Sequence, residues 1–77
     1  MKPRKPKTIE VGKCYRLLAW YGLGQPSDTI AYVYAIEGAA QRTVRVQTVA
    51  GPDLGWNADS YSNFLRSAHS EAPAVKN

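Results

Sequence analysis

Residues 42–50, RTVRVQTVA, carry the clearest pattern in the chain. Thr43, Arg45 and Gln47 fall on one side and Val44, Val46 and Thr48 on the other, the period of two that marks a half-buried strand. Residues 29–37, TIAYVYAIE, are dense in β-branched and aromatic side chains and predict a second strand. Residues 13–21, KCYRLLAWY, sit between Gly12 and the breaker GLGQPSD and predict another, with Ile9 and Val11 offering a short strand ahead of it. Gly38-Ala39-Ala40-Gln41 has hairpin length, with Gly38 suited to a left-handed conformation. Gly51-Pro52-Asp53-Leu54-Gly55 is a turn. Proline fixes φ there, Asp53 can bond its local backbone, and Gly55 accepts a positive φ. Residues 22–29 are expected to be a mobile connection.

The last element is expected to be a helix. Asn57 can cap it and Asp59 suits its first turn. Ala58, Tyr61, Leu65 and Ala68 share one face, with Phe64 beside them. A short strand over residues 60–65 is the competing reading.

Alternation also assigns the sheet faces. If Val44 and Val46 are core, the matching sets are Tyr15, Leu17 and Ala19 on the first strand and Ala31, Val33 and Ala35 on the second. The opposite face then carries Arg16, Leu18, Trp20, Ile30, Tyr32, Tyr34, Ile36, Arg45 and Gln47. That face is too apolar to be left wet. Either the sheet curls into a barrel, or the terminal helix lies across one face, or another chain does.

The pattern over residues 9–65, with its length, its strand spacing and a long glycine-containing loop after the first strand, resembles SH3-like small barrels. The expected fold is mainly β: a small antiparallel sheet of three to five strands, strongly bent or closed as an SH3-like barrel, with one short C-terminal helix. Residues 9–69 form the single domain, between a basic flexible tail (residues 1–8) and a flexible C-terminal tail (residues 70–77).

Size and charge narrow the chemistry. A chain of 77 residues buries only roughly 60% of the surface its unfolded form exposes, so disulfides, metals or oligomerisation often support such domains. One cysteine, Cys14, allows no internal disulfide and suits a reducing, cytoplasmic setting. No apolar run reaches the roughly 20 residues of a membrane span. The net charge is +4, but Lys2, Arg4, Lys5 and Lys7 lie in the first seven residues. Beyond them Lys13, Arg16, Arg42, Arg45, Arg66 and Lys76 stand against Glu10, Asp28, Glu37, Asp53, Asp59 and Glu71. The body is balanced and the basic character belongs to the tail.

No catalytic set is visible. His69 stands alone without a second metal ligand and suits a helix C-terminus. Cys14 begins a strand, where cysteine acts as a small hydrophobe. Asp28, Asp53 and Asp59 occupy turn or cap positions. Gly22-Leu23-Gly24 lacks the third glycine and the lysine–serine pair of phosphate-binding loops. Trp56, after a glycine and before the helix, is expected to close one end of the core with its indole N–H on a loop carbonyl.

Two binding readings remain, with no enzyme activity and no cofactor or metal expected. In the leading one the chain binds nucleic acid. Lys2, Arg4, Lys5 and Lys7 follow a phosphate backbone, while Arg16, Trp20, Tyr32, Tyr34, Arg45 and Gln47 form a stacking face. In the alternative it is a protein-interaction module, a small accessory or inhibitor protein docking through the apolar face or pairing as a homodimer. The tail favours the first and the balanced body the second.

Overall fold

The computed structural model describes residues 5–20 and 23–73, and the side chains of all of these except Trp20 and Leu23. The chain is mainly β. Among the described residues five strands, β1 (Cys14–Trp20), β2 (Leu23–Glu37), β3 (Thr43–Ala50), β4 (Ala58–Ser60) and β5 (Ala68–Ala72), and one helix, α1 (Tyr61–Ser67), follow one another in the order β1-β2-β3-β4-α1-β5. The strands form a single antiparallel sheet in the spatial order β4-β3-β2-β1-β5. β4 and β5 are its two edges, and α1 carries the chain from one edge to the other.

The alternation in β3 translates into burial. Val44 and Val46 are buried while Gln47 is exposed. Across the ladder Val33 pairs with Val46, and Tyr15, Leu17 and Ala31 complete a buried inner face. Ile9, Phe64 and Ala68 close over it, and Leu54, Trp56, Tyr61 and Leu65 pack around the edge. Phe64 is the central plug from α1, meeting Tyr15 edge to face at 6.0 Å and 87°. Burying each of these larger side chains contributes about 1.5–3 kcal/mol.

Several expectations need correction. The segment expected to be a mobile connection, residues 22–29, is mostly strand, because β2 begins at Leu23 and runs back along β1. Two register shifts absorb its breakers: Arg16 pairs with Ile30, Leu18 with Pro26, and Trp20 with Leu23. Gly24 has a φ of 88°, as a bulge between the last two pairs requires. Pro26 lies where β2 pairs with β1 alone, since β3 joins β2 only from Ile30 onward, so its missing N–H takes no bond from β3. Ser27 pins the wider shift: its hydroxyl donates to the Leu17 carbonyl at 2.8 Å and accepts from the Thr29 N–H at 3.2 Å.

Strict alternation fails at two further points. Ile36, expected on the outer face, packs against the core. A register shift between Val33 and Ala35 sets Ile36 opposite buried Val44, because a bulge turns every later side chain over. Ala19, expected in the core, is exposed. It lies past Leu17, the last β1 residue that β5 covers.

The helix is shorter and starts later than expected. Asn57 does not cap it. Residues 58–60 form β4 against β3, and Ser60 is the N-cap, its hydroxyl accepting from the Asn63 N–H at 3.3 Å. Asp59 sits before the helix, where its carboxylate accepts the Ser60 N–H at 2.8 Å. Ala68 and His69 belong to β5 rather than to the helix. β5 ends at Ala72, so the expected domain boundary at residue 70 falls inside a strand. Ile9 and Val11 form no strand; Ile9 is buried and Val11 is exposed beside a turn at Gly12.

Candidate binding groove

A groove lies where the loop after β3 folds back along that strand. Tyr34, Val46, Gln47, Thr48, Asp53, Trp56 and Asn57 line it. The turn at residues 51–55 sets its wall. Gly51 has a φ of 77° and passes so close to the Asp28 backbone that a Cβ would collide with it. The Thr29 hydroxyl donates to the Pro52 carbonyl at 3.0 Å, and the Leu54 N–H donates to the Thr48 hydroxyl at 3.3 Å. Asp53 accepts the Gly55 N–H at 3.0 Å, and Gly55 has a φ of 77°. The wall is thus tied to both strands, and the Val46 N–H fixes its far end by donating to the Asn57 carbonyl at 2.9 Å.

Within the groove Tyr34 is 45% exposed, which is high for a large side chain in a sheet. Trp56 is half-buried; it packs on the core and also borders a second hollow with Leu17, Leu18, Leu54 and Ser67. Gln47 and Asn57 are exposed. Asp53 is the one charged side chain among the residues that line the groove. The chemistry on offer is therefore two aromatic rings, two primary amides and a carboxylate.

The expected binding residues are divided. Tyr34 and Gln47 lie in the groove. Tyr32 is half-buried on the same sheet face, opposite Gln47 on one side and buried Cys14 on the other. Arg45 lies beside Tyr34 but is paired with Glu37. That carboxylate, followed by the Tyr34 phenol, holds its guanidinium pKa above the ordinary value. Arg16 donates to the Ser27 carbonyl at 2.8 Å. Lys7 is exposed. Lys5 reaches the carbonyls of Leu65, Arg66 and Ala68 at 3.1, 3.1 and 2.9 Å. Lys2, Arg4 and the side chain of Trp20 lie outside the described residues.

The remaining titratable groups serve the fold. His69 pairs through Nδ1 with the Ser70 hydroxyl at 3.1 Å in β5, not with a helix end. Lys13 bridges Glu10 and Glu71 at 3.2 and 3.4 Å. Arg42 stacks over the Tyr61 ring, 3.8 Å from its centroid. Among the described residues no cluster of three His, Cys, Asp or Glu side chains could hold a metal ion, and no helix is long and apolar enough to cross a membrane.

Sequence reasoning did not assign Trp56, Asn57 or Asp53 to a binding surface. Each has a local reason to be where it is, in a turn or just beyond one, and nothing in the spacing relates residues 53–57 to Tyr34. The signal lay in the turn itself, whose two positive-φ glycines fold it back on the strands. Compared with protein-family models, with curated proteins and with solved structures, the chain matches none.

Proposed function

We propose that this chain is a non-catalytic binding module with the architecture of an SH3-like small barrel, working in the cytoplasm, and that its groove takes an extended segment of a protein partner. A single five-stranded antiparallel sheet whose two edges are joined by α1 supports that reading. The observation that carries the functional reading is the fate of the cations. Lys5, Lys13, Arg16, Arg42 and Arg45 each engage a group of the protein itself, whereas the groove presents two rings, two uncharged amides and the Asp53 carboxylate. A phosphate backbone calls for free positive charge. A polypeptide calls for aromatic surface and for groups that donate and accept hydrogen bonds, which primary amides supply.

A second reading, nucleic-acid binding, is favoured by the cations of residues 1–7. The two separate in one experiment. A phage-displayed library of random dodecapeptides is selected on the full chain, and enriched peptides are retested on Tyr34→Ala. The protein reading expects a loss of about tenfold or more in affinity, as for truncating an exposed aromatic anchor, and little change with salt. If no peptide depends on Tyr34 while a single-stranded 20-mer oligodeoxynucleotide binds with steep salt dependence, the nucleic-acid reading replaces it.

A further inference from the structure

The N-terminal segment of the described chain is held to the body in an unusual way. The Lys5 ammonium takes the carbonyls of Leu65, Arg66 and Ala68 at the C-terminal end of α1. These are among the carbonyls a helix leaves without internal partners, and a cation there also complements the helix dipole. The Ile9 N–H donates to the Tyr61 hydroxyl and the Glu10 N–H to the Tyr15 hydroxyl, both at 2.9 Å. Ile9 itself is buried at 3% exposure, while Lys5, Lys7, Thr8, Glu10 and Val11 are exposed. Backbone pairing with the sheet begins at Gly12, whose N–H donates to the Val33 carbonyl at 2.8 Å.

We propose that residues 5–12 are a latched strap: the Lys5 ammonium is the latch, Gly12 the hinge, and the seat filled by Ile9 an apolar surface that the strap keeps closed. Ahead of Gly12 the described contacts of the strap with the body are one apolar anchor, three side chains that supply hydrogen bonds, and the exposed Glu10–Lys13 ion pair. Segments held so sparsely open locally at a lower cost than the sheet beneath them. Gly12 has a φ of 92° and nothing within 4 Å of its missing Cβ, the conformational freedom that suits a point where the strap leaves the sheet. The latch is a charge, so neutralising Lys5 unlatches the strap without touching the core. The cation then has two exclusive fates, on the helix end or on an outside anion, which links the position of the strap to whatever engages the tail.

Amide hydrogen exchange on the full chain tests this. In Lys5→Gln the Ile9 and Glu10 amides should exchange about tenfold faster or more, while Val33 and Val46 keep their wild-type rates, as local opening requires. Equal acceleration at all four amides would show a global loss of stability and overturn the strap; no acceleration at Ile9 and Glu10 would overturn it too. A second measurement needs no variant. On brief treatment of the wild-type protein with acetic anhydride, Lys5 should acylate roughly fivefold or more slowly than exposed Lys7, because its ammonium must first leave the helix end. Equal rates would also refute the latch.

Discussion

At the scale of single residues, the positive-φ glycines separate backbone strain from steric collision. Gly51 and Gly12 both sit in the left-handed region, at 77° and 92°, but only Gly51 faces an obstacle, the backbone of Asp28 and Thr29. Gly12→Ala should therefore cost only the conformational term, about 1–2 kcal/mol. Gly51→Ala adds a collision with a neighbouring strand that cannot yield like a flexible side chain. It should cost about 3 kcal/mol or more, in the range of the disruptive single substitutions. Urea denaturation of both variants checks this, and equal midpoints would show that the Asp28 contact carries no weight. The pair also bears on the groove, because Gly51 anchors the wall that carries Trp56. A Gly51→Ala protein that still folds should bind groove-dependent peptides less well than the Gly12→Ala protein, both measured where each is fully folded.

At the scale of elements, the hairpin of β1 and β2 depends on a side chain that the pattern of the sequence underrates. Ser27 bonds both strands across a two-residue register shift. Ser27→Ala removes both bonds and leaves the Leu17 carbonyl without its Ser27 donor, so about 1–3 kcal/mol should be lost. The loss should show as faster amide exchange at Thr29 with little change at Val46; an unchanged Thr29 would mean the shift is fixed by the rest of the ladder. The same hairpin shows where reading the chain succeeds. Strands with plain alternation, such as β3, are legible because burial on one face imposes the period. The beginning of β2 is not, since Gly24, Pro26 and Ser27 suit a turn as well as they suit bulges, and only pairing with β1 decides. β4 has three residues, too few for any period. β5, AHSEA, has no β-branched residue and no Phe, Tyr or Trp; it is a strand because β1 offers it an edge, a tertiary effect that outweighs propensity. Of the groove, Tyr34 and Gln47 were visible as outward positions, while Trp56 and Asn57 needed the fold to bring them there.

For the molecule as a whole, the distribution of charge predicts how stability responds to alkali. Besides Arg45, two groups hold protons more firmly in the folded chain than in the unfolded one. The Lys13 ammonium, bonded to Glu10 and also beside Glu71, has a pKa above its ordinary 10.5. The Tyr15 phenol, inside the core, is pushed above its ordinary 10.0, chiefly because burial disfavours the phenolate. Both effects have the same sign. Below the unfolded values each group is protonated in both states, and its contribution is complete. As pH rises past those values the unfolded chain sheds protons that the folded chain keeps, so the equilibrium moves toward unfolding, and the contribution is gone above the folded values. The urea midpoint should therefore be flat near about pH 8 and fall above about pH 10. Lys13→Met should remove the part due to the exposed ion pairs, which salt also screens, and leave a salt-resistant fall beginning near the phenol's ordinary 10.0. Tyr15→Phe should do the converse, lowering the midpoint at neutral pH through loss of the bond from the Glu10 N–H while flattening the salt-resistant part of the alkaline fall. A midpoint that holds level to about pH 11.5 in the wild-type protein would mean that neither proton is held by the fold, and that Tyr15 reaches water through the seat Ile9 is meant to fill.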